Sequence, residues 1–166
     1  DNAVLYMVMR QKRTVESKVI TESEEQEAHT RKVELRYKIA YRLVYFCESI
    51  TARLWAIPLV KAGVAAAPKH GVPGRFVGTY PGFAHFDSLG VQENGSICVA
   101  TIGRGGISTF TPDGTKMQFK SMPDTLVTNI CWGGNRMRTA YITLSGTGKL
   151  AAVDWSTPGL RLAHYA

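Results

Sequence analysis

Tight-turn signals, and the point where they begin, constrain this chain more than anything else in it. From Pro58 onward, short apolar runs are cut at close intervals by "PGRF", "ENGS", "PDGT", "WGGN" and "SGTGK". Asn-Gly and Asp-Gly supply the positive φ that tight hairpin turns require. Short strands at that spacing predict an all-β sandwich, barrel or propeller. All 16 glycines lie at Gly63 or later. The residues before Pro58 carry none of this punctuation.

A repeat is visible by eye. "VYFCESITARLWAIPL" (44 to 59), "ICVATIGRGGISTFTP" (97 to 112) and "AYITLSGTGKLAAVDW" (140 to 155) share one plan. Each is an apolar strand, a small polar connection, then a second strand with a bulky apolar residue near its end. Taking Tyr45, Cys98 and Tyr141 as equivalent gives spacings of 53 and 43 residues. Periods of that size are the mark of propeller blades, four-stranded sheets that cannot bury their faces alone.

The N-terminal stretch reads differently. "KVELRYKIAYRLVYF" (32 to 46) alternates apolar residues at period two, a strand pattern, although Leu35, Ile39 and Leu43 also fit helical spacing. Ser23 and Gln26 stand in capping-box relation. The expectation is a short helix or loop near 23 to 31 and a long strand after it. "VKAGVAAAP" (60 to 68), broken by lysine, glycine and proline, reads as a loop.

At 166 residues the chain has room for one domain with a real core. Hydrophobic residues at 45% and charged ones at 20% are globular values. No run of about eighteen apolar residues exists to span a membrane. The net charge of +7 invites a nucleic-acid partner, but the basic residues are interleaved with acids, as in "ESEEQEAHTRKVELRYK". No zinc-finger spacing or basic stripe appears, so neither nucleic acid nor membrane is expected as a partner. Trp55, Trp132 and Trp155 sit in strand patterns and read as inter-blade core. "GRGG" and "SGTGK" contain phosphate-loop glycines but do not lead from a strand into a helix, and read as hairpin connections. Cys47, Cys98 and Cys131 form no C-x-x-C pair and read as buried free thiols in a reducing, cytoplasmic compartment.

From about Ser49 to the C-terminus the chain resembles the gluconolactonase / senescence-marker-protein (regucalcin-like) family of six-bladed propellers. The stretches that carry the resemblance are "ESITARLWAIPL", "PGRFVGTYPGFAHFDSLGVQENGSICVATIGRGGISTFTPDG", "VTNICWGG" and "RTAYITLSGTGKLAAVDWSTPGLRL". The opening "NAVLYMVMRQKRTVESKVI" weakly resembles the preceding blade. The resemblance implies a partial β-propeller of about three blades: residues 1–48 a divergent N-terminal blade remnant, 49–166 the C-terminal blades, and one domain overall.

It also implies a divalent-metal site at one end of a central channel, where sugar lactones are hydrolysed. Calcium is the first expectation, with zinc and manganese as alternatives. The family's ligands are a Glu near the N-terminus, an Asn in a Pro-Asn-Gly turn and an Asp opening a later blade, and the last matches Asp87. Carboxylate oxygens suit such an ion, which polarises a carbonyl and acidifies bound water. The alternative for Asp87 is a turn cap or a bond to a nearby backbone N–H. Counting back from Tyr141 as Asp87 stands from Cys98 puts Thr128 or Asn129 at the channel end. There it would contact substrate, or Asn129 would be a buried amide satisfying backbone groups.

Two features depart from the family. Where the Pro-Asn-Gly turn belongs stands "RKVELRYK", which replaces the ligand asparagine by Val33, or by Glu34 if the next turn is one residue shorter. Glu34 is then a candidate oxygen donor, or a solvated surface residue, and His29 is a further candidate. The N-terminal glutamate has no counterpart. A fragment, a shifted reading frame upstream of about Val44, pairing with a second copy through open blade edges, or an edge covered by the N-terminal segment would each account for this. The functional expectations are therefore two: a metal-dependent hydrolase of sugar lactones, or a non-catalytic partial propeller that acts in interaction or self-assembly.

Overall fold

The computed structural model describes residues 8–9, 43–61, 64–68, 70–72 and 74–162. It is built from antiparallel sheets, with no α-helix among the described residues. The first sheet holds β1 (Val8–Met9), β2 (Leu43–Glu48), β3 (Arg53–Lys61), β4 (Val64–Ala65) and β5 (Arg75–Thr79), with β5 pairing β3. The second runs β6 (His85–Val91), β7 (Ile97–Ile102), β8 (Gly106–Phe110) and β9 (Met117–Ser121) in sequence order. The third runs β10 (Val127–Gly133), β11 (Thr139–Leu144) and β12 (Lys149–Asp154). A single 3₁₀ turn, Asn135–Met137, links β10 to β11. Each sheet is one blade. The first strands lie side by side, because β6 touches both β1 and β10. This is a partial β-propeller.

The sequence repeat is a repeat of register. The inner hairpins close on Glu48↔Arg53, Thr101↔Gly106 and Leu144↔Lys149. Tyr45, Cys98 and Tyr141 therefore occupy the same rung of three blades. "GRGG" and "SGTGK" are two of these hairpin connections.

Strand alternation explains where the core sits. Along β7, Ile97 and Val99 face the first blade, in a cluster with Tyr45, Leu54, Val77, Phe86 and Phe110. Cys98 and Ala100 face the third blade, with Ile107, Ile130, Trp132, Ile142 and Trp155. All four β7 residues are fully buried. A strand buried on both faces needs a continuous apolar run, which is why "ICVA" does not alternate. Close packing sets the small residues too. A Cβ on Gly90 would stand 2.6 Å from Trp132, and one on Gly114 (φ 78°) would stand 2.1 Å from the Val77 carbonyl oxygen.

Two expectations change. Residues 60–68 are not all loop: β3 extends through Lys61, and Val64–Ala65 pairs back on it. Apolar Val60 and Val64 can hold an extended ribbon despite the neighbouring glycine and proline. The boundary drawn at residue 48 falls in the turn between β2 and β3, two paired strands of one sheet. The helix or loop expected at 23 to 31 lies outside the described residues, as does the expected strand from 32 up to β2.

Candidate active site at the channel end

β6 and β10 enter the ring in the same way. β6 pairs β7 through Phe86↔Thr101 and Leu89↔Val99, so a bulge holds Asp87 and Ser88. β10 pairs β11 through Val127↔Leu144, Asn129↔Thr143 and Ile130↔Ile142, with its irregularity at Thr128, between Val127 and Asn129. Matching the rungs makes Thr128 the counterpart of Asp87 and Asn129 the counterpart of Ser88. A bulge re-aims side chains where a strand begins and is common beside active sites.

Asp87 is half-buried and its peptide is held from the first blade. The Cys47 Sγ donates to the Asp87 carbonyl oxygen at 2.9 Å, and the Phe86 N–H donates to the Ser49 carbonyl at 3.0 Å. Burial pushes the Cys47 thiol up to about 12, and the Asp87 carboxylate pushes it the same way. At neutral pH Cys47 is thus a neutral S–H donor rather than a nucleophile or a thiolate ligand. Cys98 is also pushed up to about 12 by burial, against the lowering effect of its contact with Thr109. Cys131 is exposed rather than buried as the sequence suggested, because it lies on the face of the third blade that no described element covers.

Thr128 joins a short hydroxyl chain, 2.9 Å from Thr143 Oγ1 and 2.6 Å from Ser145 Oγ. Asn129 is exposed, and its Oδ1 accepts the Ile130 N–H at 2.8 Å. This side chain stands in solvent and not in the buried position that a core amide would take. Glu34 and His29 lie outside the described residues. In the first blade β2 pairs with Val8–Met9. His85, which belongs to no motif in the sequence, opens β6 two residues ahead of Asp87.

Residues 37–146 match the family model described as the SMP-30/gluconolactonase/LRE-like region. The chain belongs to this family. Among solved structures, luciferin-regenerating enzyme is similar to it with a TM-score of 0.58 and 16% sequence identity, over 74% of this chain and 45% of that one. An identity that low speaks to the fold alone, and the chain spans less than half the length of that protein. No curated protein matches the chain.

For an SMP-30/gluconolactonase-like chain the question is whether the donors of a cation site are assembled. Among the described residues no group of three or more His, Cys, Asp and Glu side chains comes together. A calcium ion takes six to eight oxygens. Asp87 offers a carboxylate, the neighbouring Cys47 is held neutral, and Thr128 offers a hydroxyl. The described residues do not by themselves fit a metal centre.

Proposed function

We propose that the chain is part of a propeller that hydrolyses sugar lactones, with Asp87 at the working end of its channel. The observation that carries this reading is the position of Asp87. It lies in a bulge near the start of an inner strand, within the span that matches the family, on a peptide clamped by the preceding blade. In this reading Asp87 is one oxygen donor to a divalent cation, calcium first and zinc or manganese as alternatives. Thr128 and Asn129 belong to the substrate side. The donors that Asp87 lacks among the described residues would come from elsewhere, Glu34 being the candidate in this chain.

Calorimetric titration of calcium, then zinc and manganese, into the wild type and Asp87→Asn tests the reading, followed by assay of glucono-lactone hydrolysis. Binding that the substitution abolishes, together with turnover, is the expected result. A folded wild type that binds none of the three ions and turns over no lactone removes it.

One observation favours a second reading, an interaction or self-assembly module. The outward face of the third blade carries Cys131 and Leu150 in the open, and Leu150 is 64% exposed. Sedimentation over a concentration series checks this: a chain that stays monomeric at high concentration, with no partner bound, speaks against it. No helix of the described residues is long and apolar enough to cross a membrane.

A further inference from the structure

Three buried side-chain nitrogens among the described residues have no hydrogen-bond partner: Trp55 Nε1, Trp132 Nε1 and His85 Nδ1. The two indoles sit in aromatic packing. Trp132 lies against Trp155 in the core between blades, and Trp55 lies between Phe46 and Phe76. His85 differs from both. It is the first residue of β6, half-buried, and its ring meets Phe83 edge-on with centroids 4.9 Å apart. Phe83 itself is 76% exposed.

Whichever nitrogen of the ring carries the proton, Nδ1 needs a partner, as a donor in one tautomer and an acceptor in the other. Buried polar atoms without one are uncommon in native proteins and call for an explanation. The blade architecture does not demand the imidazole. By register the counterpart of His85 in the third blade is Leu126, an aliphatic residue. The cover over His85 is lightly held. Phe83 follows Gly82, which has a φ of 104° and open space where a Cβ would be. Most of the phenyl surface is in solvent, so few neighbours hold it over the imidazole.

We propose that His85 is a ligand-contacting residue of the channel end, its Nδ1 hydrogen-bonding a hydroxyl of a polyhydroxylated ring once Phe83 moves aside. The ligand class rests on the lactonase reading above; the contact requires no metal. The Thr128, Thr143 and Ser145 hydroxyls at the start of the next blade offer matching chemistry, uncharged groups suited to a ligand's hydroxyls. The displaced phenyl face would pack on the C–H surface of the ring.

The test follows the histidine ring resonances of the full chain by NMR, in EDTA, as 1,5-anhydroglucitol is added. This ring polyol has no lactone to hydrolyse. The His85 signal, identified by its loss in His85→Gln, is expected to move and saturate. His85→Asn places an amide atom where Nδ1 stands and holds the affinity within about threefold, whereas His85→Gln, whose amide reaches toward the Nε2 position, weakens it about tenfold, the worth of one hydrogen bond. A His85 signal that stays still while polyol is added overturns the contact, and so does equal affinity in the Asn and Gln variants. Because no metal is present, a failed polyol titration is told apart from a failed calcium titration. Loss of the metal reading with an intact His85 shift leaves the contact standing.

Discussion

The second and third blades share one backbone plan and differ in what lies over them. Both have a bulged first strand, a second strand that carries the common rung, and a hairpin of equal length. In the second blade Cys98, Ala100 and Ile107 are fully buried against the third. Their counterparts in the third blade are Tyr141, Thr143 and Leu150. The first two are half-buried and Leu150 is open to solvent. The rungs of a propeller blade are set within the sheet, but its hydrophobic energy is gained between sheets. One rung is thus core in one blade and surface in the next.

The sharpest way to break this comparison is to cut the same position in both blades. Ile107→Ala removes side-chain atoms from a fully buried site and is expected to cost ~2–5 kcal/mol of stability. Leu150→Ala, one blade on, is expected to change stability by less than about 0.5 kcal/mol. Urea unfolding of the two variants beside the wild type measures both. Similar losses would mean that the outer face of the third blade is covered in solution.

A smaller effect is expected from adding atoms. Gly90 packs its backbone on Trp132, and an added methyl would stand 2.6 Å from the indole. Gly90→Ala should lower stability by about 1–3 kcal/mol, the usual cost of overpacking. A Gly90→Ala/Trp132→Phe double variant should recover part of that loss, since the smaller ring leaves room. If the two effects simply add, the indole is not what Gly90 makes way for.

Asp124 ties the same two blades through their connections. Its Oδ1 accepts the Leu126 N–H at 2.7 Å, and its Oδ2 accepts the Thr147 N–H and hydroxyl at 2.8 Å each. The Leu126 N–H is the largest of the influences holding its carboxyl below the usual range. A folded pKa below the unfolded one adds stability that is fully present above the unfolded value, near 3.9, and lost as pH falls through the folded value. Wild type should therefore exceed Asp124→Asn in thermal midpoint at pH 7, with the gap closing below about pH 4. A gap unchanged at low pH would assign the difference to the altered side chain and not to the charge.

How much of this was legible in the sequence depends on how local the cause was. The Tyr45, Cys98 and Tyr141 rung was readable because each hairpin closes over a few residues. Asp87 stood out through its family match, as did the strands and turns around it. Thr128 and Asn129 remained an either-or because a bulge inserts one unpaired residue without any mark in the sequence. Glu34 and His29 belong to the long stretch of chain between β1 and β2, outside the described residues. The burial of Cys131 could not be read at all: "NICWG" looks like a core strand, and only the neighbouring blade decides whether its outer face is covered. His85 gave no signal, since an unpartnered nitrogen is a property of the packed ring and not of its neighbours in sequence.

The smallest expected effect on stability makes the same comparison chemically. Cys131 is the register counterpart of Gly90. The second-blade position has no room for a methyl, while the third-blade position faces outward. A thiol reagent should therefore modify Cys131 in the folded chain within minutes at pH 8. Cys47 and Cys98, buried and pushed up to about 12, should stay unmodified until the protein unfolds. Labelling with a maleimide as large as a fluorophore is expected to move the unfolding midpoint little, because an exposed site tolerates substitution. One fast thiol in the native state and three after denaturation is the outcome that fits. If Cys131 is protected as well, another blade lies over it, and the assembly reading gains the surface that it needs. Rapid labelling of all three thiols would instead mean that the blades open readily, and that the interfaces around Cys47 and Cys98 are weaker than their burial indicates.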